Sequence, residues 1–184
     1  MNDASDAKHA HRAFPVVGIG ASAGGLEAFK NFLQAMPADS GLAFVLIQHL
    51  DPTHESMMVD LLARHTGMPV VQVEDGMPVQ PDHVYMIPPN RYLHIRDRHL
   101  QLTEPRDRRG TRVVIDTFLR SLAEDQQECA VGVVLTGTGS DGAAGIREIK
   151  AQGGLTLAQE PATAAHDSMP RAAIDTGAVD IVCP

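Results

Sequence analysis

A serine, a histidine and an aspartate in this chain are of the types that together make a nucleophile, a base and its orienting acid. The serine is Ser22, within Gly20-Ala21-Ser22-Ala23-Gly24. That run fits the G-x-S-x-G elbow, which holds a serine on a tight strand-to-helix turn with its hydroxyl exposed. Small neighbours are needed because the backbone folds back sharply and a substrate must come close. The helix expected after the turn offers unpaired N–H groups and a positive dipole end, both suited to a developing oxyanion. A serine hydroxyl is a poor nucleophile until a base takes its proton. His49 is the candidate base, and Asp141 the candidate carboxylate that fixes its tautomer and steadies the imidazolium.

Each of these residues also has a plain structural use. Ser22 could be a turn residue, and His49 a capping or packed histidine at a strand end. Asp141 could cap the helix that begins near Gly142. The chain order Ser, His, Asp also differs from the Ser, acid, His order of α/β-hydrolases. Triads are recognised by geometry, so the order speaks against that fold and not against the triad. The same glycines allow a rival reading. Gly18-x-Gly20-x-x-x-Gly24 resembles a relaxed dinucleotide-binding turn, but Ala23 stands where G-x-G-x-x-G needs glycine. The acid expected at a strand end about 20 residues on is missing as well.

The elements that must position these residues follow from periodicity. Phe14 to Ile19 is an unbroken apolar run, the mark of a strand buried on both faces. Leu26, Phe29, Phe32, Leu33 and Met36 recur at helical spacing, and Pro37 ends the pattern. Leu42 to Ile47 is a second buried strand, running into Gln48-His49 and the loop 50–54. Glu55 to His65 is helical. Strands are expected at Val70 to Val73 and His83 to Ile87. A hairpin is expected from Tyr92–Ile95 and Leu100–Leu102 around Asp97-Arg98. No helix fits between about residues 70 and 110, so this middle part reads as a mixed or antiparallel addition to the sheet. Residues 103–112 are charged and read as mobile.

Alternation then resumes, with a helix marked by Val113, Val114, Phe118 and Leu122 and a strand over Cys129 to Leu135. After the loop 136–142 come a helix at Ala143 to Ala151, a strand at Leu155 to Ala158, a short helix at Met169 to Thr176 and a last strand near Val179 to Val182. The implied fold is α/β: a doubly wound, mainly parallel sheet with a small antiparallel hairpin addition and helices on both faces. Ser22, His49 and Asp141 each follow the carboxyl end of an expected strand, where such sheets form their ligand crevice.

Bulk properties narrow the function. The chain has 184 residues and a formal net charge of −8. Its length suits one domain over residues 14–184, behind a polar tail at 1–13 expected to be disordered. The negative charge argues against a nucleic-acid partner, which needs clustered Lys and Arg, and against an anionic membrane surface. No run approaches the roughly 20 apolar residues that span a bilayer, and residues 1–13 lack the core of a signal peptide. A cytoplasmic location is expected. Cys129 and Cys183 sit in apolar runs and read as buried free thiols. The histidines show no metal-ligand pattern, and neither metal nor cofactor is expected.

The motifs in combination carry a resemblance. Gly18 to Gly25, Gln48-His49, Pro88-Pro89-Asn90-Arg91 and Leu135-Thr136-Gly137-Thr138-Gly139-Ser140-Asp141-Gly142 resemble the CheB-type protein-glutamate methylesterases. The likeness spans residues 15–183. It is nearest to the version at the front of hybrid proteins that also carry a CheR-type methyltransferase and sensor or kinase domains. The resemblance implies hydrolysis of glutamyl methyl esters on chemoreceptors with release of methanol, and often deamidation of receptor glutamines. It implies Ser22 as nucleophile, His49 as base, Asp141 as orienting acid, and backbone oxyanion donors near Ala23 and Thr138. It makes a methyl-accepting chemoreceptor or similar protein the expected partner, with methyltransferase and sensor kinase domains as further partners.

The chemotaxis enzymes usually carry threonine where this chain has Ala23 and methionine where it has Thr138. These departures leave a second expectation standing, a docking or regulatory module with weak or no turnover. The linked receiver domain of the chemotaxis enzymes is also not expected here, since only a short polar tail precedes the first strand. The end at Cys183-Pro184 reads as a cut from something longer.

Overall fold

The computed structural model describes residues 14–48, 55–105 and 113–184. The expected disordered tail, His49, the loop 50–54 and most of the charged stretch 103–112 lie outside the described residues. The main sheet has seven strands: β1 (Val16–Ala21), β2 (Ala43–Gln48), β3 (Val70–Gln72), β5 (His83–Met86), β8 (Ala130–Val134), β9 (Leu155–Gln159) and β10 (Ile181–Cys183). Their order is β10-β9-β8-β1-β2-β5-β3, and every pairing is parallel. A separate antiparallel sheet holds β4 (Met77–Pro78), β7 (His99–Thr103) and β6 (Tyr92–Arg96).

Alternation along the strands sorts side chains between two cores. Val17, Ile19 and Ala21 of β1 join Phe44 and Leu46 of β2 beneath α1 (Gly25–Ala35) and α2 (Glu55–Ala63). Val16 and Ala43, Val45 and Ile47 point the other way. They meet Ile115, Phe118, Leu119 and Leu122 of α3 (Val114–Gln126) and Ile146 and Ile149 of α4 (Ala143–Ala151), with Met169 and Ala173 of α5 (Ser168–Asp175) in the same core. Gly18 and Gly20 lie inside β1 on this face. A Cβ at Gly20 would fall 2.4 Å from Ile115 Cγ2, and one at Gly18 would fall 2.8 Å from Leu119 Cδ2. Their spacing therefore serves the close seating of α3 on β1. A dinucleotide turn would need these glycines in the loop after the strand, so that reading falls.

The strand order reverses at β1. The chain first builds outward through β2 to β5 and β3, and α3 then carries it back to place β8 on the other side of β1. That makes the carboxyl edge of β1 and β8 the topological switch point, where open α/β sheets form their crevice.

Of the two expectations for the middle of the chain, a mixed or an antiparallel addition, the structure has the mixed one. β3 and β5 pair in parallel and extend the main sheet, while β4, β7 and β6 supply the antiparallel part. Their crossover is an irregular excursion containing β4, not a helix. The expected hairpin is present as β6 and β7, turning on Asp97 (φ 50°) and Arg98 (φ 59°). Positive φ at both central residues is the mark of a type I′ two-residue hairpin turn. The Asp125 carboxylate accepts the Asp97 and Arg98 N–H groups, at 2.6 and 3.2 Å, and ties that turn to α3. The cysteines are also corrected. Both are free, but Cys129 is only half-buried and Cys183 is exposed, because β10 is an edge strand facing solvent along its length. Among the described residues no helix is long and apolar enough to cross a membrane.

Candidate active site

The turn after β1 is knotted to two other strand ends. The Ser22 N–H donates to Thr136 O (3.0 Å), just past β8. The Ser22 carbonyl accepts from Gly25 N (2.9 Å) and from Gln48 Nε2 (3.1 Å), at the end of β2. Gly24 has φ 78°, the left-handed region glycine favours. A Cβ there would also crowd Ala165 Cβ at 3.0 Å and Thr136 Oγ1 at 3.2 Å. Ser22, Ala23, Gly24, Gly25, Leu26, Glu27 and Gln48 line a shallow depression of about 460 Å³.

Thr136 is 2% exposed and acts as the buckle of the site. Its Oγ1 lies 3.1 Å from Ala23 O and 3.2 Å from His166 O, either of which can take its proton, and it accepts from His166 N at 2.8 Å. Its own N–H donates to Gln159 Oε1 (2.9 Å). Gly137 follows, pressed between Met169 and Ser22. A Cβ at Gly137 would fall 2.2 Å from Met169 Sδ and 2.9 Å from Ser22 Cβ. Ser168 Oγ donates to Gly137 O (3.1 Å) and accepts from Gly139 N (3.2 Å), which holds the loop that carries Thr138. Among the described residues the N–H groups of Ala23 and Thr138 have no hydrogen-bond partner.

Asp141 ends the same loop, but it does not cap the helix that follows it. Gly142 is the N-cap of α4 and, being glycine, offers no side chain to cap it. The Asp141 carboxylate turns to α3 instead. Oδ2 accepts Ile115 N at 3.0 Å and Oδ1 accepts Asp116 N at 2.9 Å. The cap on α4 comes from Asp116, whose Oδ1 accepts Gly142 N (3.0 Å) and Gly145 N (2.7 Å). Burial pushes the Asp116 carboxyl above the usual carboxylate range; the Gly145 amide opposes this and the Asp141 charge adds to it.

The structure thus joins the Ser22 turn to the loop that leads to Asp141 through Thr136 and Gly137. His49 lies outside the described residues, directly after the Gln48 whose amide holds Ser22. Sequence reading held Gln48, Thr136 and Gly137 only as members of motifs, without a role, and passed over Asp116. The signal for Asp116 was an acid in the first turn of a helix otherwise apolar on its inner side. Among the described residues no group of His, Cys, Asp and Glu is placed to hold a metal ion.

Comparison with known proteins gives consistent matches. The family model described as CheB methylesterase matches residues 17–184. A protein-glutamate methylesterase/protein-glutamine glutaminase of Photorhabdus laumondii is 39% identical over 171 residues, covering 91% of this chain and 49% of that protein. An uncharacterized 104.1 kDa protein of Rhodobacter capsulatus is 50% identical over 123 residues, covering 67% of this chain and 13% of that protein. The chain therefore spans about half or less of the length of these relatives. The crystal structure of the Thermotoga maritima CheB methylesterase catalytic domain superposes with a TM-score of 0.86 at 27% identity, covering 93% of each chain.

Proposed function

The chain belongs to the CheB methylesterase family, and from that premise we propose that it is a serine hydrolase acting on glutamyl methyl esters of a chemoreceptor-like protein. Ser22 is the nucleophile, His49 the general base and Asp141 the acid that orients it. The observation that carries this reading is the knot at the β1–β8 switch point. Ser22 is held there through its own N–H and carbonyl by Thr136 and Gln48, beside an open depression.

In this mechanism His49 takes the Ser22 proton as Oγ attacks the ester carbonyl. The tetrahedral oxyanion is held by the N–H groups of Ala23 and Thr138. His49 then gives its proton to the leaving methoxide and methanol departs. Water, deprotonated by the same histidine, releases the glutamate and restores Ser22. With a glutamine substrate the leaving group is ammonia, and the same steps deamidate it. The domain over residues 14–184 is the catalytic unit. Methyltransferase and sensor kinase domains are its further partners in this reading. Its place of action is the cytoplasm, where the methylated segments of such receptors would meet it.

The test is methanol release from a glutamate-methylated receptor fragment by the wild type and by Ser22→Ala. The reading expects release by the wild type and at least a ~1,000-fold loss in the variant. Equal release by both would remove Ser22 from the chemistry.

A further inference from the structure

Asp116 is a buried carboxylate, 8% exposed, that the mechanism above does not use. Its Oδ1 holds two amides of the first turn of α4, Gly142 and Gly145, and its own N–H holds Asp141 Oδ1. The two helix starts cannot drift apart, because Gly145 is packed onto α3. A Cβ there would lie 2.5 Å from Leu119 Cβ. The two aspartates therefore sit as a reciprocal pair, each capping the helix that carries or follows the other.

We propose that Asp116 is a positioning residue of the hydrolytic site, holding Asp141 in its working orientation and setting a second negative charge behind it. This rests on the reading of Asp141 as the triad acid. A neutral Ser or Asn caps a helix about as well as Asp, and burying a carboxylate is costly. Capping alone therefore does not require a charge at this position. A second negative charge near the base that Asp141 serves favours the protonated form of that base and raises its apparent pKa.

Among the described residues, the ionisable groups that act on Asp116 are Asp141, from the β8–α4 loop, and Arg120, one turn further along α3. β1 presents Gly18 and Gly20 to α3. His94 and Arg96 of β6 line a separate depression with Ser121, Glu124 and Asp125, at the opposite end of α3. Along α4, Arg147, Glu148 and Lys150 are exposed, and Lys150 pairs with Asp180.

Asp116→Asn keeps an acceptor for both amides and removes the charge. The acidic limb of kcat/KM for methyl ester hydrolysis is expected to move down by about half a pH unit. KM stays within about twofold, and kcat at the low end of the profile is retained better than in Asp116→Ala, which also loses the cap. An acidic limb that stays at the wild-type position in Asp116→Asn overturns the proposal, whatever the change in overall rate. A carbon-13 carboxyl titration of Asp116 decides the same point without turnover. A lower Asp116 midpoint in Asp141→Asn than in the wild type supports the coupling, and an unmoved midpoint overturns it. Absence of methanol release by the wild type would sink the methylesterase reading, and the carboxyl titration would still decide for or against the coupling.

Discussion

Asp141 and Asp116 cap each other's helices: Asp141 accepts Ile115 N and Asp116 N at the start of α3, and Asp116 accepts Gly142 N and Gly145 N at the start of α4. The loop after β8 is thereby fastened to α3 at the end of the sheet where Ser22 sits. Asp141 then has a structural duty besides its proposed catalytic one. Asp141→Ala is expected to lower stability by about 1 kcal/mol, the typical loss of an N-cap side chain. Asp141→Asn, which keeps one acceptor, is expected to lose less. Urea denaturation of the two variants checks the order; equal stability of Asp141→Ala and wild type would deny the cap.

Asp116 and Asp180 should move stability with pH in opposite directions. Burial raises the Asp116 carboxyl above its ordinary value, so the folded chain binds the extra proton between the ordinary and the raised pKa. Stability contributed through Asp116 then falls as pH rises through that window. Asp116→Asn should remove the fall and be at least as stable as wild type at pH 7. Asp180 is held below its ordinary value by hydrogen bonds from Lys150 and then Thr156. Its stabilisation is present above the unfolded pKa and is lost as pH falls through the folded one. Asp180→Asn should flatten the acid side of the profile. Thermal melts from pH 3 to 8 read both effects, and parallel profiles for either variant and wild type would contradict the assignment.

Gly137 lies where no side chain fits. Gly137→Ala would set a Cβ 2.2 Å from Met169 Sδ and 2.9 Å from Ser22 Cβ. The Met169 side chain can shift, whereas the Ser22 turn is tied at both its N–H and its carbonyl. The expected result is a stability loss of about 1–3 kcal/mol, as for overpacking, with a fall in Ser22 reactivity of at least ~10-fold. Activity within twofold of wild type would mean that the loop after β8 does not shape the nucleophile turn.

Thr136→Val keeps the volume and removes the hydroxyl that His166 N donates to and that lies within reach of Ala23 O and His166 O. Losing a part-buried hydrogen bond of this kind costs about 0.5–1.5 kcal/mol. The turn and the 164–168 segment should then loosen together, seen as faster amide exchange at His166 and at Ser22 and a lower kcat. Unchanged exchange at both would deny the buckle.

Much of this architecture was legible in the residues. The apolar runs over 14–19, 42–47 and 129–135 mark buried parallel strands, found at 16–21, 43–48 and 130–134, and the helix over 143–151 begins and ends where Gly142 and Gly153 allow it. Ser22 and Asp141 could be placed at strand ends by counting alone. What could not be read was decided by contacts between distant segments. β3 and β5 are short runs whose parallel pairing depends on a non-helical crossover. The two-residue β4 contains Pro78 and has no pattern of its own. The alternative reading of Asp141 as a cap on the helix next in sequence fails, because its carboxylate reaches the start of a helix some 25 residues earlier. Gly18 and Gly20 allowed the rival turn reading because spacing does not reveal that α3 lies against that face of β1.

The most direct measurement is labelling with a serine-reactive fluorophosphonate, followed by peptide mapping, on wild type, His49→Ala and Asp141→Asn. The account predicts one modified residue, Ser22, in the wild type, with labelling lost in His49→Ala and strongly slowed in Asp141→Asn. Well-folded wild type with an unreactive Ser22, or labelling of Ser22 that is the same without His49, would contradict it and point to a docking module in place of an enzyme.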